Sequence, residues 1–385
     1  MIAYNKNSLD QLAIRNEAVT AYKKKLISDD EYDAIIKIHK TGLYSPNIFI
    51  RIGLFAAVVV IVLMTFGLLF LIFGAAVDSD ISLFWMSLFF AFAVYAALEW
   101  IVQNKKHYRS GVDDGLLWLA LIFVVCDIAI FSELSSFAIA VLAFLISLAA
   151  TIRFANSVMS AVMFGSFIAG IFYSLIPFEA WAKSILPFVI MLLSFSIYLV
   201  TKNIKQKDFL RHYQFCFMML EVLSLVTIYA SVNYFSVREL TVTMFNLPEN
   251  YSLSGGWFFW LFTCALPIIY VVRGLQAKDR LILRTGLLLI AATVFTFRYY
   301  YTVAPVEQVV TVSGIILTIV AYAAIRYLHT PKHGLTDKQS EQYLQDGLTV
   351  ESLVIAESFN DVPAAEEGFR FGGGSTGGGG ASGQF

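Results

Sequence analysis

Ten apolar runs of bilayer-spanning length dominate this 385-residue sequence. As a helix, about 20 apolar residues cross the hydrocarbon core of a membrane. Only 14% of the residues are charged and the mean hydropathy is +0.71, a composition that is typical of membrane proteins. We therefore predict an all-α fold, a polytopic transmembrane helical bundle of about ten spans. The runs lie near 52–76, 81–103, 115–132, 134–152, 155–177, 180–201, 214–235, 256–273, 281–299 and 305–328.

Positive charge is distributed unequally between the two sides of this predicted bundle. All but three of the 27 lysines and arginines fall on the side that holds both termini, and the exceptions are Lys183, Arg238 and Arg298. Connections rich in Lys and Arg stay in the cytoplasm. We therefore expect both termini to be cytoplasmic. The polar first 46 residues also lack the features of a secretory signal peptide, so the first run is expected to direct insertion itself.

The chain outside the bundle divides into three segments. Residues 1–46 predict a cytoplasmic helical hairpin, whose second helix opens with an S-x-x-E capping box formed by Ser28 and Glu31. This hairpin is too small to hold a core of its own, so it should dock on the bundle, residues 47–329, or on a partner. Residues 330–370 predict a further cytoplasmic helical segment.

The last segment, residues 371–385, reads FGGGSTGGGGASGQF. Its glycines leave too little side chain to bury, which predicts a disordered tail. One interpretation is an inert flexible end. The other is a docking peptide or degradation signal, in which Phe371, Phe385 and the terminal carboxylate serve as anchors.

Two segments carry a resemblance to a known family. KKKLISDDEYDAII in the hairpin and HYRSGVDDGLLW before the third run resemble the bacterial "predicted membrane protein" family of unknown function, over essentially the whole chain. The resemblance implies a multi-pass protein of the bacterial inner membrane and supplies no activity. The tail is similar to the glycine-rich ends of TPM-domain membrane proteins, although no TPM domain precedes it.

Three carboxylates inside the apolar runs, Glu99, Asp127 and Glu221, are the candidates for a polar site within the membrane. A carboxylate in hydrocarbon costs about 2.5–3.5 kcal/mol on insertion scales, so each is a functional hypothesis. Glu99 lies near the cytoplasmic end of its run, where it can snorkel to water. Asp127 and Glu221 lie deeper in their runs. One interpretation is that they carry protons, and the other is that they form hydrogen bonds to a neighbouring helix. Neither run has a basic residue at the same depth, although Arg298 could reach Asp127 in the folded chain.

Small residues recur at four-residue spacing along the fifth run. Ser157, Ala161, Gly165 and Ala169 form a stripe that would let another helix approach closely. We interpret the fifth helix as a central packing helix. The competing interpretation is the seam of a dimer.

Motifs for catalysis and for nucleic-acid binding are missing from the sequence. All five histidines lie in the predicted cytoplasmic segments, there is no P-loop, and the glycine-rich tail follows no predicted strand and opens no helix, as a dinucleotide-binding loop would. The net charge of −1 argues against nucleic acid as a partner. We therefore expect no catalytic residue, metal site or cofactor.

These observations leave two functional hypotheses. The preferred one is a non-enzymatic accessory or scaffold component that contacts the lipid bilayer and engages a protein partner through the hairpin or the tail. The alternative is a proton- or solute-coupled transporter that uses Asp127 and Glu221. Inverted repeats of five helices would support a transporter, but inversion should place Glu99 and Glu221 in opposite halves of the membrane, and both lie in the cytoplasmic half.

Overall fold

The predicted hairpin and the first nine predicted runs are helical. The structure, a computed structural model, describes residues 2–23, 25–73, 79–205, 207–248 and 251–301, and eight helical residues between 308 and 326. Of 179–183 and 208 it describes the backbone alone. Most of the tenth run and the segments 330–370 and 371–385, with Phe371 and Phe385, lie outside the described residues.

The hairpin consists of α1 (Lys6–Lys23) and α2 (Asp29–Ile38). The predicted capping box is present, since Ser28 N donates to Glu31 Oε2 at 2.8 Å and Glu31 N donates to Ser28 Oγ at 3.4 Å. Tyr22 of α1 stacks on Tyr32 of α2 with ring centroids 4.6 Å apart. The ring contact packs the two helices against each other.

Nine helices within the described residues are long and apolar enough to cross a membrane. The third and fourth predicted runs, 115–132 and 134–152, are separate helices with a break over residues 132–135. A short helix, α10 (Tyr234–Met244), follows the seventh span. The spanning helices are α3 (Ile48–Phe73), α4 (Asp80–Asn104), α5 (Val112–Phe131), α6 (Ser136–Phe154), α7 (Ser157–Leu175), α8 (Glu179–Ile204), α9 (Gln214–Ala230, after a 3₁₀ turn at Asp208–Tyr213), α11 (Gly256–Ala277) and α12 (Arg280–Tyr300).

Helices that follow each other in the chain pack together, and in each half of the bundle one helix contacts several others. In the first half, α5 packs against α3, α4 and α6. In the second half, α9 packs against α7, α8, α11 and α12. The contact between α6 and α7 joins the two halves, so α7 is an interior helix of the bundle.

Large apolar side chains cover the outside of the bundle. Soluble proteins rarely expose continuous apolar surface of this extent, whereas lipid chains solvate it. The protein is therefore an integral membrane protein in contact with the bilayer. Examples from four helices are Leu71, Phe89, Leu192 and Leu288.

Candidate functional site

The most elaborate polar cluster lies where α5 begins, at the end of the bundle that carries α1. Gly111 has φ +88°, and a Cβ there would lie 2.1 Å from the Arg51 carbonyl oxygen of α3. A Cβ on Gly115, one turn later, would lie 3.1 Å from Val58 Cγ1 of α3, closer than an ordinary van der Waals contact. Glycine at position 111 therefore lets α3 and α5 touch, which places Arg51 beside Asp114.

Asp113 is a buried carboxylate with four hydrogen-bond donors. Its Oδ1 accepts from Ser110 N at 2.9 Å and from Ser110 Oγ at 3.0 Å. Its Oδ2 accepts from Arg109 N at 2.8 Å and from the Tyr4 hydroxyl at 3.1 Å. The carboxylate also lies in the first turn of α5, where the helix dipole favours negative charge. Asp113 is thus satisfied as an anion although it is only 4% exposed.

Asp114 joins three helices through its two oxygens. Arg51 Nη2 of α3 lies 2.8 Å from Oδ2, and Asn156 Nδ2 donates to Oδ1 at 2.6 Å. Asn156 is also the N-cap of α7, since its own Oδ1 accepts from Val158 N at 2.9 Å. One carboxylate thereby fixes α3, α5 and α7 relative to one another. We call Tyr4, Arg51, Asp113, Asp114 and Asn156 the Asp113 cluster.

The start of the chain is inserted against this cluster. Ala3 N donates to the Arg153 carbonyl at the end of α6 at 2.6 Å. The Tyr4 ring packs edge-on against Tyr108 with centroids 4.8 Å apart. Burial and the Asp113 carboxylate raise the pKa of Tyr4 well above its usual value, so the hydroxyl stays a donor. Asp10 of α1 adds an ion pair with Arg211.

The connection between α4 and α5 packs beside the cluster. Tyr44 N donates to the Lys106 carbonyl at 3.0 Å, and Tyr108 N donates to the Tyr44 carbonyl at 3.1 Å. His107 Nδ1 lies 2.8 Å from Ser110 Oγ. Burial lowers the pKa of His107, which favours the neutral ring.

The cavity inside the Asp113 cluster is small. Its volume is about 30 Å³, room for a single water-sized molecule. Trp118 Nε1 is buried at its wall and has no hydrogen-bond partner among the described residues. A space of this size excludes an organic substrate, so the arrangement joins helices and holds the N-terminal segment.

Glu99 is paired rather than snorkelling alone. Arg153 of α6 forms a bidentate pair with it, with Nη2 at 2.8 Å from Oε2. The Tyr95 hydroxyl and Gln103 Nε2 donate to the same carboxylate at 2.8 and 3.1 Å. Since the Arg153 carbonyl binds Ala3, this pair is continuous with the anchoring of the chain start.

Glu221 has a basic partner that the sequence analysis did not find. Lys205, at the end of α8, lies 3.3 Å from Glu221 Oε2. Glu221 is 6% exposed and belongs to α9. The long lysine side chain reaches the carboxylate from a neighbouring helix end, which a comparison of depths within one run cannot reveal.

Asp127 lies apart from both Glu221 and Arg298. Its side chain is 3% exposed, Ser87 of α4 interacts with it, and its Oδ2 has no hydrogen-bond partner among the described residues. Asp127 is on α5, which packs on α3, α4 and α6, whereas Arg298 is on α12, which packs on α9 and α11. Within the described part of the chain the two form no ion pair. The fold thus separates the carboxylates that the transporter hypothesis would bring together.

The stripe of small residues on α7 does not lie in a close helix contact along its whole length. The helix packs on α6, α8 and α9. Gly165 is nevertheless exposed, and a Cβ built there would meet nothing within 4 Å. Gly165 and Ala169 border a cavity instead of a close helix contact, because α8 and α10 stand away from them.

Other candidate sites add little. Among the described residues, no group of three His, Cys, Asp or Glu side chains is arranged to hold a metal ion.

Asp113 and Asp114 entered the sequence-based predictions only as part of the segment HYRSGVDDGLLW, which carries the family resemblance. A pair of aspartates directly before an apolar run was the signal that could have identified it, since helix starts favour carboxylates. Comparison with protein-family models, curated proteins and solved structures finds no match to this chain.

Proposed function

We propose that this chain is a non-enzymatic accessory or scaffold protein of the bacterial inner membrane, which presents its cytoplasmic hairpin to a protein partner. The observation that carries the proposal is the contrast between the two helices of the hairpin. The chain start and α1 are fixed to the bundle, whereas α2 has α1 as its main packing partner.

The anchored side of the hairpin supports a permanent attachment. Leu9 and Ala18 of α1 are buried, and Tyr4 and Asp10 bond to the bundle. Buried hydrogen-bonded groups of this kind are costly to separate. The hairpin is therefore expected to keep one position relative to the membrane helices.

The free side of the hairpin supports a binding role. Leu26, at the turn, is 71% exposed and Ile38, at the end of α2, is 73% exposed. Burying one such side chain fully contributes about 1.5–3 kcal/mol. A partner surface that covers both would gain this energy without moving the hairpin.

The transporter hypothesis has less support. It requires Asp127 and Glu221 to face one water-accessible space. Glu221 is paired with Lys205, and Asp127 packs in the other half of the bundle. Neither lines the cavity at the Asp113 cluster or the cavity beside Gly165.

The proposal is tested by co-purification after chemical cross-linking in intact cells. A Leu26→Ser/Ile38→Ser variant should lose a stoichiometric partner that the wild type retains, by at least about tenfold, a 1.4 kcal/mol change. An Asp30→Ser/Lys37→Ser variant alters exposed polar residues of the same helix and should retain the partner. Equal recovery from both variants would contradict the proposal.

A further inference from the structure

An apolar cavity opens between four helices at the end of the bundle away from the hairpin. It has a volume of about 400 Å³, within the range of ligand pockets. Its walls come from the last half of α7, the first half of α8, the end of α9 and one face of α10. Representative lining residues are Gly165, Ala169, Phe172, Ile190, Val237 and Leu240.

Three of the five hydroxyl groups in the wall, those of Ser231, Ser236 and Thr241, are occupied by internal hydrogen bonds. Ser231 Oγ donates to the Ile228 carbonyl at 2.7 Å, and Thr241 Oγ1 donates to the Val237 carbonyl at 2.6 Å. Ser236 Oγ donates to Asn233 Oδ1 at 3.3 Å. Tyr173 and Thr227 supply the other two hydroxyls in a wall that is otherwise apolar, so a polar solute would lose most of its hydrogen bonds to water without replacing them. The lining of the cavity therefore favours a hydrocarbon ligand.

The cavity is continuous with the surface that lipid covers. Leu240 of α10, which lines the cavity, is 45% exposed, and Gly165 of α7 in the opposite wall is exposed as well. Phe172 and Ile190 lie deeper, buried from the outside and yet in the cavity wall. A chain that enters from the bilayer would contact both layers of residues.

From this geometry we infer that the cavity binds one acyl chain of a bilayer phospholipid, in the leaflet remote from the hairpin. The lining chemistry selects hydrocarbon, and the continuity with the lipid-facing surface supplies the route of entry. The small side chains at Gly165 and Ala169, which the sequence analysis assigned to helix packing, provide the space for the chain.

Native mass spectrometry of the full chain released from phosphatidylglycerol nanodiscs tests this inference. The wild type should retain one phospholipid more than Gly165→Leu, whose side chain occupies the cavity, and occupancy should fall at least about fivefold. Gly53→Leu on α3 is the matched control, since a Cβ there also meets nothing within 4 Å, and it should retain the lipid. Equal lipid retention by Gly165→Leu and Gly53→Leu would overturn the inference.

A second measurement uses the unaltered protein, so it does not depend on how a variant folds. The full chain is reconstituted in phosphatidylcholine vesicles that contain a phospholipid with a diazirine in its acyl chain. Light should label Phe172 and Ile190 but spare Leu289, which is buried away from the cavity. Labelling of exposed Leu192 without Phe172 or Ile190 would overturn the inference. That result is the one expected if another part of this chain, and not a lipid, fills the cavity.

Discussion

The Tyr4 hydroxyl donates a hydrogen bond to Asp113 Oδ2 at 3.1 Å, across 109 positions of the sequence. This bond ties the start of the chain to the first turn of α5. Because Asp114, the next residue, binds α3 and α7, the N-terminal segment is attached to the same point that fixes three spanning helices. Changes at this point should therefore affect both the hairpin and the bundle.

Removing the Tyr4 hydroxyl should loosen the hairpin. Hydrogen bonds to charged groups contribute about 1.5–3 kcal/mol, so Tyr4→Phe should raise the rate of tryptic cleavage in α1 by about tenfold or more. Tyr32→Phe, in the same hairpin but outside the Asp113 cluster, keeps its ring stack on Tyr22 and should be cleaved at the wild-type rate. Identical cleavage of wild type and Tyr4→Phe would show that the hydroxyl does not hold the segment.

Removing the Arg51 charge should destabilise the bundle. Arg51→Met leaves Asp114 as a buried carboxylate without its cation, which costs about 3–5 kcal/mol when a buried pair is broken. Adding Asp114→Asn should recover part of this loss, because the uncompensated charge is gone. Thermal unfolding in detergent measures both variants. A double variant less stable than Arg51→Met would refute the charge-pair explanation.

The contact between α11 and α12 depends on Gly274. A Cβ at Gly274 would lie 2.6 Å from Leu283 N, so Gly274→Ala must push the helices apart. Overpacking of this kind costs about 1–3 kcal/mol. Gly53→Ala, which adds the same methyl group in open space, should leave the unfolding temperature nearly unchanged. If Gly274→Ala matches Gly53→Ala, the close approach of the two helices is not as described.

His107 should make stability depend on pH. Burial lowers the pKa of His107 in the folded protein, more than the nearby Asp113 carboxylate raises it. The unfolded state then takes up a proton first, so this contribution to stability is fully present above about pH 6.5 and is lost as the pH falls from there towards the lowered folded-state pKa. In detergent, wild type should lose more thermal stability between pH 7.5 and 5.5 than His107→Asn. Equal losses would exclude His107 as the cause.

Much of the fold was predictable because its signals are local. Hydropathy over about 20 residues located nine helices of the described chain, and the spacing of Ser28 and Glu31 gave the start of α2. The break at 132–135 coincides with the two polar residues, Ser132 and Glu133, that interrupt the apolar sequence there. Each of these features depends on neighbours in the sequence.

The candidate site was less predictable because it depends on contacts between distant segments. Arg51 and Asn156 lie 63 and 42 positions from Asp114, and hydropathy says nothing about which helices meet. Small residues are ambiguous for the same reason. At Gly274 a glycine permits close helix contact, whereas at Gly165 it borders a cavity, and only the position of the neighbouring helix distinguishes the two.

The partner-binding role of α2 is tested most directly by photo-cross-linking in intact cells. A photoreactive amino acid at Ile38, which is exposed, should form an adduct of one discrete mass with a protein, whereas the same group at buried Leu9 should form none with other proteins. The Ile38 adduct should weaken when Leu26→Ser is added. If Ile38 gives no protein adduct, or gives the same diffuse products as an exposed lipid-facing position such as Leu71, the proposed role of the hairpin is contradicted.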